Sequence, residues 1–263
     1  MANSYFQFKQ FNIYQDRCAM KVTTDGCLFG AWVAERVGSR ESLAVSPSAS
    51  AFGGLPTEMQ ESADRTTLDI GTGTGLLSLM IAQRNELSID AIELDLDALG
   101  QASENIAASP WANRIKIFHA DVKRFAFPHQ YDIMIINPPF YEKELKGNDT
   151  RKNIAHHNEG LLLPELLSII KSNIKSDGTF YLLLPFKRNE EIRKLIIENE
   201  LAILQLTFVR QSTGHNFFRI MLEGKLKTDE AFETKIDEIT IKDEQDQYSP
   251  AFANLLKDYY LHL

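Results

Sequence analysis

Residues Thr66 to Gly75 read T-T-L-D-I-G-T-G-T-G and lead into the helix-like stretch Leu76 to Gln83. A short apolar strand, a glycine turn and a helix compose the first βα unit of a doubly wound α/β domain. A dinucleotide-binding turn spaces its glycines G-x-G-x-x-G and admits a pyrophosphate to the helix N-terminus. Here Gly71, Gly73 and Gly75 alternate, and Asp69 sets a carboxylate at the strand end. That carboxylate repels a pyrophosphate and suits a cation. The stretch points to the fold and away from a nicotinamide dinucleotide.

Working outward, each of the next three strands also finishes on a polar group. Ser88 to Leu94 carries Glu93, placed to accept from both hydroxyls of a ribose. Arg114 to Ala120 is followed by Asp121, an acceptor suited to an adenine amine, and the apolar run Ile133 to Ile136 by Asn137-Pro138-Pro139-Phe140. In open α/β sheets ligands bind at the carboxyl ends of strands, so these groups converge on one crevice. A ligand with an ammonium, a sulfonium and an adenosine matches Asp69, Glu93 and Asp121 together, which makes S-adenosylmethionine the expected cofactor.

Asn-Pro-Pro-Phe suits a planar amino nitrogen. The Asn137 side-chain oxygen and the Pro138 carbonyl each accept one hydrogen of an –NH2 group. The two prolines remove backbone donors and stiffen the segment. Phe140 offers a face for a base, a contact worth roughly 1–3 kcal/mol. A bare Pro-Pro strand terminator with a core Phe would read the same way in isolation; the glycine turn upstream is what favours a site.

The 263 residues, 44% of them hydrophobic, suffice for one substantial core, and a single domain spanning 1–263 is the economical count. Within it, 1–37 reads as an N-terminal arm and helix, 38–64 as a flexible insertion rich in Ser, Ala, Gly and Pro, 65–227 as the sheet core and 228–263 as a C-terminal strand and helix extension. The pattern predicts an α/β Rossmann-like fold, a mostly parallel seven-stranded sheet with helices on both faces and an antiparallel C-terminal strand pair either side of Gln211 to Asn216. No apolar run reaches membrane length and no secretory leader is expected, so the expected location is the cytoplasm. Cys18 and Cys27 read as reduced, packed thiols, and the six histidines show no ligand spacing, so no metal is expected.

A net charge of −8 weighs against a nucleic-acid partner, but its distribution does not. Residues 228–246 alone carry −6, leaving −2 for the rest of the chain. Basic residues recur beside the predicted crevice: Lys9, Arg17 and Lys21 in the arm, and Lys143, Lys146, Arg151 and Lys152 beyond the Asn-Pro-Pro-Phe. A local patch of this kind steers phosphates despite an acidic whole. Glu142 to Asn158 reads as a polar loop over the crevice mouth.

The motifs Asp69-x-Gly71-x-Gly73-x-Gly75 and Asn137-Pro138-Pro139-Phe140 resemble those of class I S-adenosylmethionine-dependent methyltransferases that modify amino nitrogens. The block Phe8-Lys9-Gln10-Phe11 with Gln15-Asp16-x-Cys18-x-Met20-Lys21-Val22-x-Thr24-Asp25-Gly26 is more selective. With Tyr248-Ser249-Pro250 near the end, it resembles the bacterial tRNA1(Val) adenine-37 N6-methyltransferase family over nearly the whole chain, residues 38–64 excepted. The resemblance implies that Lys21, Thr24 and Asp25 line the cofactor beside Asp69 and the glycines, that Glu93 holds the ribose and Asp121 the adenine amine, and that Asn137 to Phe140 grip the target base. It implies a tRNA substrate, with Lys9, Arg17, Lys143, Lys146, Arg151 and Lys152 as candidate RNA contacts.

The same tetrapeptide serves methylation of other amino nitrogens, in rRNA or DNA adenine or guanine or in protein glutamine, and a non-catalytic cofactor-binding RNA module is the remaining alternative. Glutamine methylation usually comes with a helical domain before the sheet and DNA methylation with a large recognition domain; neither has room here. A monomer is expected, although nothing in the residues fixes the oligomeric state.

Overall fold

The computed structural model describes residues 4–44, 65–138 and 161–263. The alternation of strand and helix read from Thr66 onward is present. In chain order β3 (Thr66–Ile70), α2 (Leu76–Arg84), β4 (Ser88–Glu93), α3 (Leu96–Ala107), β5 (Ile115–His119) and β6 (Tyr131–Ile136) are followed by α4 (Leu163–Asn173), β7 (Ile174–Pro185), α5 (Asn189–Glu198), β8 (Leu201–Ser212), β9 (Phe217–Leu226), β10 (Lys235–Lys242) and α6 (Pro250–Leu256). Before them come a hairpin of β1 (Tyr5–Gln7) and β2 (Asn12–Tyr14) and the long helix α1 (Thr24–Ala44).

The main sheet runs β10-β8-β9-β7-β6-β3-β4-β5. From β3 the chain moves outward through β4 and β5, then returns to the other side of β3 as β6, all in parallel. That reversal between β3 and β6 is a topological switch point, where the loops part and leave a crevice above the strand ends. The expected antiparallel pair is β8 with β9, and β9 also runs antiparallel to β7. Seven strands match the expectation, and an eighth, β10 of the C-terminal extension, adds in parallel to the edge of β8.

The central strands are buried on both faces, which is why β6 is an unbroken run of Ile133, Met134, Ile135 and Ile136 rather than an alternating one. Ile133 and Ile135 join Tyr181 and Leu183 in the core under α1, α2 and α6. Met134 and Ile136 join Phe180, Leu182 and Leu184 in the core under α4 and α5. Burying each such side chain contributes about 1.5–3 kcal/mol. On the first face Trp32 of α1 meets the Tyr181 ring edge-on, with centroids 5.8 Å apart. Tyr259, just after α6, donates its hydroxyl to the Met80 carbonyl at 2.8 Å and locks the C-terminal segment onto α2.

Two local readings change. Helix α1 continues through Ala44, so residues 38–44, expected to open the flexible insertion, are helical; 45–64 lie outside the described residues. The closing helix is shorter than the Ser249 to Leu261 pattern, because Ser249 caps it and it ends at Leu256, leaving Tyr259 and Tyr260 to pack as loop residues. Both cysteines are buried free thiols, as expected for packed side chains, with burial raising Cys18 to about 11 and Cys27 to about 12.

Candidate active site

The turn after β3 holds three left-handed residues, Gly71 (φ +70), Gly73 (φ +59) and Gly75 (φ +82). An L side chain at each would cost roughly 1–2 kcal/mol. Gly71 and Thr72 both donate their amides to the Ile92 carbonyl, at 2.9 and 3.1 Å, which ties the turn to β4. A methyl group built on Gly71 or Gly73 would meet nothing within 4 Å, so these two faces open outward.

Asp69 lies beneath this turn with no solvent exposure. One carboxylate oxygen, Oδ2, accepts from Thr72 Oγ1 and Ser78 Oγ, both at 2.7 Å. The other, Oδ1, is buried and has no donor among the described residues. Burial pushes the carboxyl up to about 6 in spite of the two hydroxyls. Thr72 and Ser78 were not picked out from the sequence. The available signal was Ser78, a polar residue inside the apolar run Leu76-Leu77-Ser78-Leu79.

Glu93 ends β4 and folds its carboxylate back onto three backbone amides. Oε2 accepts from Gly73 at 2.8 Å, and Oε1 accepts from Leu94 at 2.8 Å and Asp95 at 2.9 Å. The second acid of the crevice is therefore joined directly to the glycine turn. Asp95 in turn caps α3 by accepting from Ala98 at 2.8 Å. Asp121, beyond β5, accepts from the Lys123 amide at 3.0 Å, and the Ala120 amide donates to the Glu93 carbonyl at 3.1 Å, which fastens the end of β5 to the end of β4. His119, passed over in the sequence, stands opposite Glu93 in the β4–β5 register with Nε2 3.0 Å from the Leu94 carbonyl.

On the other side of β3, Asn137 follows Ile136 at the end of β6 and is half-buried, and Pro138 is buried behind it. Ile136 pairs with Ile70 of β3, so Asn137 emerges beside the start of the glycine turn. Pro139 and Phe140 lie outside the described residues, as do Lys143, Lys146, Arg151 and Lys152.

The N-terminal segment reaches the same edge. A methyl group built on Gly26 would lie 3.6 Å from Leu76 at the start of α2, so Lys21 to Gly26 packs beside the glycine turn. Lys21 donates Nζ to the Gln15 carbonyl, and Gln15 Oε1 accepts from the Val22 amide at 2.7 Å. Thr24 is exposed at the first turn of α1, whereas the Asp25 carboxylate accepts from Arg219 Nε at 2.6 Å and is held by β9. Arg17 is bound to Glu104 and Gln101 of α3. Lys9 is placed elsewhere. It bonds the Lys257 carbonyl, and neighbouring Asp258 is gripped by Gln83 and Arg84 at the C-terminal end of α2, the end opposite the glycine turn. From there its charge lies away from the crevice. Among the described residues no three His, Cys, Asp or Glu side chains gather as a metal ion would require.

Comparison with known proteins gives this edge a context. Residues 51–192 match the family model described as methyltransferase small domain. A predicted O-methyltransferase from Agrobacterium tumefaciens, only 16% identical, superposes with a TM-score of 0.56 over 75% of this chain and 92% of that one, a likeness of fold alone. Full-length relatives are more specific. The tRNA1(Val) (adenine(37)-N6)-methyltransferase of Parabacteroides distasonis is 35% identical over 100% of both chains. Its namesake in Dyadobacter fermentans is 38% identical over 98% of each, and that of Yersinia enterocolitica 36% identical over 98% of this chain and 92% of the other. Identity of this extent over 98–100% of the chain means that the chain belongs to the tRNA1(Val) (adenine(37)-N6)-methyltransferase family.

Proposed function

We propose that this protein transfers the methyl group of S-adenosylmethionine to N6 of adenine 37 in the anticodon loop of tRNA1(Val). The observation that carries the reading is the convergence of Asp69, Glu93 and Asn137 at the carboxyl edge, on the two sides of the switch point between β3 and β6.

The residues present fit the cofactor. The buried Asp69 Oδ1, which has no donor among the described residues, suits a cationic, hydrogen-bonding group nearby, and the outward faces of Gly71 and Gly73 leave room for a ligand to lie against the backbone. Glu93 is the acceptor for a ribose diol and Asp121 for an adenine amine. When bound, S-adenosylmethionine supplies a methyl carbon made electrophilic by its sulfonium.

Asn137 and the Pro138 carbonyl deal with the opposite difficulty, a poorly nucleophilic amine whose lone pair is delocalised into the purine. Accepting the two N6 hydrogens draws the nitrogen towards tetrahedral geometry and localises the pair. Both acceptors bind better as positive charge grows on nitrogen, so their contribution is larger in the transition state than in the ground state. Phe140 supplies the stacking face that fixes orientation, and alignment provides much of the remaining rate. No strong base is needed, because the extra proton leaves after transfer. An adenine in a loop is already unpaired, so presenting it costs little compared with flipping a base from a duplex.

The whole chain acts as one methyltransferase domain, a monomer working on tRNA in the cytoplasm, and among the described residues no helix is long and apolar enough to cross a membrane. Incubating the protein with bulk tRNA and labelled cofactor, then mapping methylated nucleosides by mass, tests the reading. N6-methyladenosine at position 37 of tRNA1(Val) is the expected product; label elsewhere or none overturns it.

A further inference from the structure

Beyond β6 the same carboxyl edge carries side chains that neither the cofactor nor the target base uses. Phe186 directly follows β7, Phe208 lies near the end of β8, and Phe217 opens β9. Their rings form a closed triangle, with centroids 5.3 Å apart for Phe186–Phe208, 5.4 Å for Phe186–Phe217 and 5.5 Å for Phe208–Phe217. All three are half-buried. Phe186 and Phe208 rest on the core under α4 and α5, whereas Phe217 is not part of it.

Cations accompany the rings. The Arg210 guanidinium lies 5.3 Å from the Phe217 centroid, and Lys187 is exposed next to Phe186. Arg219 pairs with Pro185 in the β7–β9 register and lies 5.3 Å from the Phe218 ring.

The topology sets the reach. From β6 the neighbours are β7, then β9, then β8. With strands about 4.8 Å apart, the triangle starts about 5 Å from the end of β6 and extends to about 15 Å, a span of a few nucleotides. It lies on the far side of Asn137 from β3, β4 and β5, whose ends carry the cofactor acids.

We propose that Phe186, Phe208 and Phe217, with Arg210 and Lys187, form the platform on which single-stranded nucleotides of the RNA loop flanking the target adenine dock; this rests on the tRNA reading above. Rings interleaved with cations suit nucleic acid in two ways. Bases stack on phenyl faces and guanidinium planes, and the adjoining phosphates pair with the charges. Arg210 now pairs with Glu238 at 3.2 Å and donates to Thr240 at 2.9 Å. A solvent-facing ion pair of that kind is weak and yields readily to a phosphate. An apolar protein partner would have little use for a guanidinium set against Phe217 and an exposed lysine beside Phe186, so the charge favours RNA.

The test uses the full chain, a fluorescent RNA hairpin bearing the anticodon loop, and titrations at several salt concentrations. Phe217→Ala should weaken RNA binding about tenfold, with cofactor affinity and the rate at saturating RNA unchanged, and Phe217→Trp should restore it. Arg210→Gln should lower the slope of log affinity against log salt by about one phosphate contact. Lys187→Ala should do the same. Unchanged RNA affinity and salt slope in the variants would overturn the platform, as would parallel loss of cofactor binding in Phe217→Ala, which would mark the ring as a core group. Failure of the unmutated protein to bind or methylate the RNA would instead strike the reading beneath it.

Discussion

Asn105 on α3 holds Tyr14 on β2 as a neighbouring strand would. Its Oδ1 accepts from the Tyr14 amide and its Nδ2 donates to the Tyr14 carbonyl, both at 2.9 Å. The same Nδ2 donates to the Thr74 carbonyl in the glycine turn at 2.9 Å. One side chain, 1% exposed, thus fixes the N-terminal hairpin against the turn, and through Gln15 it also fixes the position of Lys21 and Val22.

Asn105→Ala should therefore act on stability and on the crevice together. Losing the amide leaves the Tyr14 and Thr74 backbone groups short of partners in a buried place, an expected cost of about 2–4 kcal/mol. Urea unfolding measures that cost, and calorimetry at a temperature where the variant is folded should show weaker cofactor binding. Full cofactor affinity in a destabilised variant would mean that the hairpin and the turn are not coupled.

Asp69 predicts a pH dependence of definite sign. Its carboxyl sits at about 6 in the folded protein, above the value near 3.9 of an unfolded chain. The folded state therefore favours the protonated form, and the stability that follows is fully present below about pH 4 and lost as the pH rises through 6. Without ligand, Tm should fall between about pH 4 and 6 relative to Asp69→Asn. A cationic ligand favours the ionised form, so cofactor affinity should rise over the same interval in the unmutated protein and stay flat in Asp69→Asn.

Gly73 combines a positive φ, an amide given to Glu93 and an open face. Gly73→Ala should cost about 1–2 kcal/mol in backbone strain. The added methyl also projects into the space left for a ligand, so cofactor affinity should fall by more than the stability loss accounts for. Thermal shifts with and without cofactor separate the two effects.

The features legible in the sequence were those written locally: the alternation of strand and helix, the glycine turn and the acids at strand ends. Contacts between distant residues were not legible. Asn105 and Tyr14 lie 91 positions apart, and nothing in either neighbourhood announces the pair. A strand was expected in the C-terminal extension, but the bounds of β10 and its place as an eighth strand of the main sheet were hidden because Lys235-Ile-Asp-Glu-Ile-Thr-Ile-Lys242 lies in the most acidic stretch of the chain. As an edge strand it buries only Ile239 and Ile241, so it needs little apolar residue content and reads as a solvated charge run. The helical character of 38–44 was masked by Gly38 and by serines, which weaken helix propensity without forbidding a helix that α1 already propagates. Lys9 was expected beside the crevice with the other basic residues of the arm, but its backbone amide is fastened to Tyr259 and its side chain follows to the Lys257 carbonyl, a placement set by contacts with the far end of the chain.

Glu93 offers the sharpest separation of structure from binding. Its carboxylate accepts three backbone amides, from Gly73, Leu94 and Asp95, so Glu93→Ala frees the glycine turn from the β4–α3 turn as well as removing the proposed ribose acceptor. Glu93→Gln keeps the length and one acceptor oxygen while facing an –NH2 towards at least one of those amides. Hydrogen bonds to a charged group contribute about 1.5–3 kcal/mol, so either variant should lose roughly tenfold or more in cofactor affinity. The comparison that matters is adenosine against methionine. If Glu93 also binds the ribose, both variants lose clearly more affinity for adenosine than for methionine, whereas a carboxylate that only staples the turn would weaken the two ligands alike, since both would meet the same loosened Gly71 to Gly75.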